Sequence, residues 1–422
     1  MNHPALARLD ALGMRGVKLG LDAIREILAR LGEPQRASPH VLIAGTNGKG
    51  STAATLSAIL RAAGVRAGLH TSPHLAEVTE RVRVADVDVS PEQLDDALAR
   101  VFSAAARPPA VGPTYFESVT AAAEMIFAAE RCGAAVVEVG MGGRLDATNA
   151  ADPVVSAVTS IALDHVADLG PTPAAIAREK AGVFRAGRPA LCAATDPEAR
   201  AVLREQAMRV GAEFVDVPAA TRVSDRRETA LGQKFTLETA AARYRIETPL
   251  RGAHQTSNVA VAVVAAERLR AFLPGITAAA IAEGVRGTRW PARLERFVVD
   301  GRVAWLDGCH NPEGARALAA FLASRGEPYD LLFGVMRDKD AAAIAGPLFP
   351  AARRIVLAAP EGDRAFPVDA LAERLGPLAA RAERAASPAD ALDRLLPGGG
   401  AEIVVAGSLF LAGELRGRLA AG

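Results

Sequence analysis

The chain has 422 residues, half of them apolar, with 49 basic against 48 acidic side chains. That length exceeds one ordinary core and implies two or three globular domains, and a net charge of +1 argues against a nucleic acid as the main partner. Three cysteines (Cys132, Cys192, Cys309) without a C-x-x-C pair offer no thiolate metal site and fit a reducing compartment.

The start has no basic-then-apolar leader, so no signal peptide is read, and apolar runs such as 259–266 are too short to span a bilayer. A cytoplasmic protein with no membrane partner is expected. Residues 1–39 read as helical, with Ile24, Ile27, Leu28 and Leu31 at helical spacing before Gly32 and Pro34 break the pattern. Val41 to Ala44 is a short buried strand, and Ser51 to Ala63 is a helix stopped by Gly64.

Between them runs Gly45-Thr46-Asn47-Gly48-Lys49-Gly50-Ser51-Thr52. Glycines let successive N–H groups converge on one anion, the helix start adds partial positive charge, and Lys49 adds a full one. Ser51 or Thr52 can then hold Mg²⁺ against phosphates. The strict pattern G-x-x-x-x-G-K-[ST] is not met, because Ile43 stands at its first glycine and Gly50 separates lysine from hydroxyl. The competing reading is an ordinary strand–turn–helix corner; the glycines and the lysine at the helix start favour phosphate binding.

Further along, Val65 to His70 is a second strand followed by Ser72-Pro73-His74, and a helix starts at Ser90-Pro91-Glu92. A loop at 107–113 leads to Thr114-Tyr115-Phe116-Glu117 and a helix through Ala129. Ala134 to Val139 and Val154 to Thr159 are the third and fourth strands. Apolar strands alternating with helices indicate a parallel sheet covered on both faces. From 221 to 248, Phe235, Leu237, Tyr244 and Ile246 alternate with polar residues, the pattern of a small antiparallel ribbon. Helical pattern returns over Asn258 to Phe272 and stops near Arg286 to Pro291. Strands at 303–306, 331–335, 355–358 and 403–406 then form a second, smaller α/β domain, with a helix start at Ser387-Pro388. The expected division is 1–288 for the first domain, 289–293 for a linker and 294–422 for the second.

Ligands of open parallel sheets bind beyond the carboxyl ends of the strands. Those ends carry the phosphate loop, Ser72, Glu138 with the glycine-rich run 140–143, and Asp164-His165. A hydroxyl, a carboxylate and an imidazole can therefore converge on a cation beside bound phosphates. Each has a plainer alternative: Ser72-Pro73 as a turn pair, Glu138 beside a structural arginine, His165 as a loop hydrogen-bonder. A dinucleotide fingerprint fails because Leu145 stands at its third glycine. Lys180 closes a helix, where a lysine complements the helix dipole. Asp307 ends a strand before Gly308-Cys309-His310-Asn311-Pro312; Asn311 and Pro312 are a helix start, and Cys309 is a small packing residue.

Taken together, 44–52, Ser72-Pro73-His74-Leu75 with Glu80-Arg81-Val82, 114–117, 138–149, 159–165, 179–182, 307–312 and Asp338-Lys339-Asp340 resemble one family. It is the folylpolyglutamate synthase/dihydrofolate synthase family of the Mur ligase superfamily, and the resemblance covers nearly the whole chain. It implies an α/β fold with a P-loop ATPase domain of mainly parallel sheet and a smaller Rossmann-like C-terminal domain, the active site lying in the cleft between them. It implies an ATP-dependent ligase joining L-glutamate to dihydropteroate and then γ-linked glutamates to tetrahydrofolate, through an acyl phosphate. By resemblance Gly48, Lys49, Gly50 and Ser51 hold ATP phosphates, Ser72, Glu138 and His165 hold one or two Mg²⁺, and Asn258, Arg293 and Asp307 are further nucleotide contacts. Thr114, Tyr115, Phe116 and Glu117 match the pterin-substrate loop, and Leu145, Asp146 and Ala147 its neighbour. Lys180 matches a lysine carried as an N6-carboxylate, and His310 is assigned to positioning glutamate. The expected partners are these small molecules only, with no nucleic acid and no membrane, and the expected form is a monomer.

Two positions depart from the family pattern: Ala292 replaces the usual glycine and Cys309 the usual alanine. Other readings are extension activity alone, another Mur-type amino-acid ligase, and a nucleotide-switch binding protein. The last lacks an N-K-x-D guanine-reading motif.

Overall fold

The structure, a computed structural model, describes residues 3–13, 20–397 and 399–421. It forms two compact units, Met1–Pro249 with Gln255–Arg289, and Leu250–His254 with Trp290–Gly422. Within the stretch read as helical from 1 to 39, helices form at Pro4–Leu12 and Asp22–Arg30. Residues 1–2 and 14–19 of that reading lie outside the described residues.

In the first unit, β1 (His40–Ala44), β2 (Ala67–His70), β3 (Val82–Val84), β4 (Val87–Asp88), β5 (Ala134–Glu138), β6 (Pro153–Val158), β7 (Pro189–Cys192) and β8 (Glu213–Asp216) make one sheet. Its order is β4-β3-β2-β5-β1-β6-β7-β8. The pairs β2–β5, β5–β1, β1–β6, β6–β7 and β7–β8 are parallel, and β2–β3 and β3–β4 are antiparallel. Side chains alternate between faces along a strand. Leu42 and Ala44 of β1 therefore enter one core with helices Pro91–Ala106 and Tyr115–Ala129, while Val41 and Ile43 enter another with helices Lys49–Ala62 and His254–Leu269. Continuous apolar strands follow from this two-sided burial. A three-stranded antiparallel ribbon of β9 (Arg222–Thr229), β10 (Gly232–Glu238) and β11 (Arg243–Thr248) packs Phe235, Leu237, Tyr244 and Ile246 onto the second core.

The second unit holds β12 (Glu295–Val299), β13 (Arg302–Leu306), β14 (Tyr329–Phe333), β15 (Ala352–Leu357), β16 (Glu383–Arg384) and β17 (Glu402–Ala406), ordered β12-β13-β17-β14-β15-β16. Only the β12–β13 pair is antiparallel, which makes this a mixed sheet. Helix starts follow cap chemistry: Ser90 and Gln93 form a reciprocal capping box, and Asn311 and Ser387 each accept an N–H of the first turn. Two helices begin earlier than their apolar periodicity shows, at Lys49 and at His254, because their first turns carry polar residues. Among the described residues, no helix is long and apolar enough to cross a membrane.

His40, which opens β1, is buried with Nε2 2.9 Å from Glu124 Oε2 and Nδ1 2.8 Å from the Ser38 carbonyl oxygen. Nδ1 donates to that carbonyl, and Nε2 faces the Glu124 carboxyl group. Burial pulls its pKa down, but the Glu124 charge and hydrogen bonds outweigh that, and the net shift is upward from 6.5. A raised folded pKa gives a contribution that is complete below the unfolded value and is lost as pH rises through the folded one. Glu124→Gln should therefore lower the denaturant midpoint, and by more at about pH 6 than at about pH 9; an equal loss at both would contradict the pairing.

Candidate functional site

Gly48 caps the phosphate-loop helix with φ 88°, a left-handed conformation in which a Cβ would also overlap Asn258 Oδ1. The first helical bond runs from Thr52 N to Gly48 O at 2.9 Å. The N–H groups of Lys49, Gly50 and Ser51 thus have no acceptor within the helix and form an anion-facing end. The segment after β6 pins this loop: Thr46 N donates to Ser160 O at 2.8 Å, Asn47 N to Ser160 Oγ at 3.0 Å, and Thr159 Oγ1 to Asn47 O at 2.7 Å. Of the two hydroxyls that the sequence leaves open, Thr52 is turned into the core, where Oγ1 donates to Asn258 O at 3.4 Å. Ser51 is the hydroxyl at the helix end.

Glu138 ends β5 and is buried. Its Oε2 accepts from Ser72 N at 3.2 Å, and its Oε1 lies 4.0 Å from Lys49 Nζ. Lys49 Nζ also donates to Thr46 O at 3.2 Å. Lys180, the last residue of the helix Pro173–Lys180, is buried and donates from Nζ to Gly45 O at 2.8 Å. Burial lowers its pKa to about 7, and the Lys49 charge adds to this against the opposing pull of Asp164 and Asp146. The structure thus brings Ser72, Glu138, Lys49 and Lys180 to neighbouring strand tips.

His165 lies on the loop after β6 with φ 50°, its side chain 43 % exposed and Nε2 3.9 Å from Asp164 Oδ1. That loop is fastened to the phosphate loop by paired bonds between Thr46 Oγ1 and the Ala162 backbone, both 3.1 Å. Among the described residues, no group of three His, Cys, Asp or Glu side chains is assembled for a metal. One buried carboxylate with a neighbouring serine still suits Mg²⁺, which commonly binds through one or two carboxylates plus substrate phosphates. The donor set therefore fits.

The segment 114–117, matched above to a substrate loop, is the cap and first turn of a helix: Thr114 Oγ1 accepts from Glu117 N at 3.2 Å, and Glu117 Oε2 accepts from Thr114 N at 2.8 Å. Phe116 stacks on buried His70 at 5.8 Å and lies flush on Gly140, where a Cβ would collide with its ring. The buried Arg81 guanidinium lies over the Tyr115 ring at 5.2 Å and donates from Nε to His74 Nδ1 at 2.9 Å. Asp146 turns inward: Oδ2 accepts from Met141 N at 2.8 Å, and Oδ1 accepts from Thr148 N and Oγ1 at 3.1 and 2.6 Å. Burial raises its pKa against the pull of these bonds. It shapes the turn in which Leu145 and Ala147 sit.

In the second unit, buried Asp307 accepts from Leu294 N and Cys309 N, both at 2.9 Å, and burial raises its pKa against the Arg293 charge. Ala292 and Leu294 flank Arg293 with φ of 52° and 50°. The turn keeps the left-handed conformation natural to glycine, at a cost of about 1 kcal/mol for an alanine. His310 Nδ1 donates to Gly308 O at 2.9 Å. Arg293 and Asp307 thus lie together, with His310 held on the same turn by the Gly308 carbonyl oxygen. Sequence reasoning placed His74 and Arg81 in family motifs without giving them a role, and passed over Gln255, which is marked only by the polar run 254–258 opening an otherwise apolar helix.

A phosphate loop after the first strand of a mainly parallel sheet, together with a mixed-sheet second unit, defines a P-loop α/β protein with an appended domain. Residues 43–266 match the Mur ligase middle domain and residues 292–409 the Mur ligase glutamate ligase domain. The chain belongs to the Mur ligase superfamily, and within it to the folylpolyglutamate synthase/dihydrofolate synthase family. It is 36 % identical to a Bacillus subtilis dihydrofolate synthase/folylpolyglutamate synthase over 77 % of each chain. It is 38 % identical, over 98 % of its length, to a Haloferax volcanii protein named "Probable bifunctional folylpolyglutamate synthase/dihydropteroate synthase". The chain spans half the length of that relative. The structure of Mycobacterium tuberculosis folylpolyglutamate synthase complexed with ADP and AMPPCP superposes with a TM-score of 0.90 at 32 % identity over 99 % of both chains. A bifunctional folylpolyglutamate synthase/dihydrofolate synthase solved with Mn, AMPPNP and L-glutamate bound gives 0.83 at 30 % identity over 98 % of both chains.

The glycine-rich segment packs against the end of the Lys180 helix: Arg144 N donates to Glu179 O at 2.9 Å, and a Cβ on Gly182 would collide with the Arg144 backbone. Gly182→Ala should cost about 1–3 kcal/mol in chemical denaturation, whereas Gly112→Ala, with open space around it, should stay within about 0.5 kcal/mol. Equal effects would show that the segment is not seated on that helix.

Proposed function

We infer that the chain is an ADP-forming ligase that joins L-glutamate to dihydropteroate and then adds γ-linked glutamates to tetrahydrofolate, working in the cytoplasm as a monomer. The observation that carries this is the gathering of Lys49, Ser51, Ser72, Glu138 and Lys180 at adjacent strand tips, in a chain of this family. Relatives solved with nucleotide, Mn and L-glutamate support the same reading.

Gly48, Lys49, Gly50 and Ser51 hold the ATP phosphates, and Asn258, Arg293 and Asp307 are the further nucleotide contacts. Thr114, Tyr115, Phe116 and Glu117, with Leu145, Asp146 and Ala147, seat the pterin substrate. Ser72, Glu138 and His165 would hold one or two Mg²⁺, which would supply positive charge to the phosphates. A carboxylate is a poor electrophile, so its oxygen first takes the γ-phosphoryl group and ADP leaves. The amine of glutamate then attacks the acyl carbon, inorganic phosphate departs, and the amine loses a proton. Lys49 offsets charge on the transferring group. His310 positions the incoming glutamate.

Lys180 is proposed to carry an N6-carboxylate, formed when its neutral amine attacks carbon dioxide and loses a proton. A pKa near 7 leaves much of the amine neutral at physiological pH, where an ordinary lysine is almost wholly charged. Modification should rise with pH through about 7 and be seen as added carboxyl mass by native mass spectrometry. Activity lost in bicarbonate-depleted buffer should return with bicarbonate; activity indifferent to bicarbonate would contradict it.

ADP release tests the function directly, with dihydropteroate and tetrahydrofolate supplied separately, each with and without glutamate. Glutamate-dependent release with both is expected; release with tetrahydrofolate alone would mean extension activity only, and glutamate-independent turnover would refute the ligase. Glu138→Gln should lower kcat at least about a hundredfold, and His310→Ala should raise KM for glutamate. An unchanged glutamate KM would remove His310 from that role.

A further inference from the structure

The helix His254–Leu269 opens with a buried amide that the reading above leaves without a task. Gln255 is 1 % exposed; its Nε2 donates to Ser51 Oγ at 3.3 Å, and its Oε1 accepts from Asn258 Nδ2 at 2.8 Å. We propose that Gln255 is a positioning residue that aims the Ser51 hydroxyl at the phosphates of the nucleotide. The proposal rests on the phosphate loop being a nucleotide site.

The geometry dictates how the hydroxyl is aimed. Asn258 turns its Nδ2 to Gln255, whose oxygen accepts there and whose amide nitrogen then faces Ser51. A hydroxyl has one hydrogen and two lone pairs. Because Gln255 fills one lone pair, the hydrogen of Ser51 cannot turn toward it. The hydrogen and the remaining lone pair are left to the open end of the helix, beside the N–H groups of Lys49, Gly50 and Ser51. Donation into an oxygen also strengthens the hydrogen bond that its own O–H gives. Thr55 Oγ1 donates to the Ser51 carbonyl oxygen at 2.7 Å and holds the same residue from the helix side. Ser51 itself is 2 % exposed, so water does not readily replace the amide. The Asn258–Gln255–Ser51 relay thus joins the start of one helix to the start of another across 204 residues of chain.

A double-mutant cycle on the full chain tests this, with affinity for ADP in the presence of Mg²⁺ read by calorimetry. Gln255→Met removes the donor at nearly constant volume, and Ser51→Ala removes the hydroxyl. Each should weaken ADP binding about tenfold, as expected for one lost hydrogen bond, and the double variant should be no weaker than Ser51→Ala alone. In steady state, Gln255→Met should raise KM for ATP and leave KM for glutamate unchanged. Equal effects of Gln255→Met in the parental and Ser51→Ala backgrounds would overturn the proposal, as would a lowered Tm with parental affinity. Gln255→Glu keeps the shape but only accepts, drawing the Ser51 hydrogen inward, so affinity at least tenfold weaker supports the relay and parental affinity refutes it. Absence of ADP binding by the parental protein would instead refute the nucleotide site itself.

Discussion

A carboxylate on the last residue of a buried strand must be matched by positive charge, since burying it alone costs several kcal/mol. Glu138 is in that position, with Lys49 4.0 Å away and Ser72 donating its backbone N–H. Lys180 is buried close enough for Lys49 to depress its pKa. Two amines and a carboxylate share a largely buried region at the sheet end. Such an arrangement is costly without a task, and it suits the binding of a polyphosphate and its cation, whose charges complement both signs.

The remaining first unit serves to hold these groups still. Strands β2, β5, β1 and β6 are sheet neighbours, so their tips meet without long loops. The phosphate loop is fastened to the β6 tip by Thr159 and Ser160, the β2 tip to the β5 tip by the Ser72 N–H on Glu138, and the β2 loop is held within itself by the guanidinium of Arg81 on the ring of His74. The glycine-rich turn after β5 closes over the Lys180 helix, with Asp146 binding the N–H groups at its centre. Apart from the Arg81–His74 pair these are bonds between backbone and side chain, and their groups are buried or partly buried.

Much of this was legible in the sequence, for identifiable reasons. Buried parallel strands are continuous apolar runs, so β1, β2, β5 and β6 stood out, and with them the sheet end where ligands gather. Cap residues such as Ser90, Asn311 and Ser387 announced their helices because their side chains accept first-turn N–H groups. The short strands β3, β4 and β16 did not show, since two or three residues carry no periodicity. Thr114 to Glu117 is a helix start, a capping box that looks like a loop when only its ends are polar. Gln255 was hidden because its meaning depends on Ser51, far away in the chain and adjacent only once the sheet has formed. The left-handed turn at Ala292 was signalled only by the glycine usual in the family at that position, because an alanine itself gives no sign of positive φ.

The central claim is that Glu138, Ser72 and Lys49 jointly receive a metal–nucleotide complex. A crystal grown with Mn²⁺ and a non-hydrolysable ATP analogue tests it most directly, through the anomalous signal of the metal. The account predicts a peak coordinated by Glu138 and Ser72, with Lys49 released from Thr46 onto the phosphates. A peak elsewhere, with Lys49 and Glu138 still paired and the loop at Gly48 empty, would contradict it.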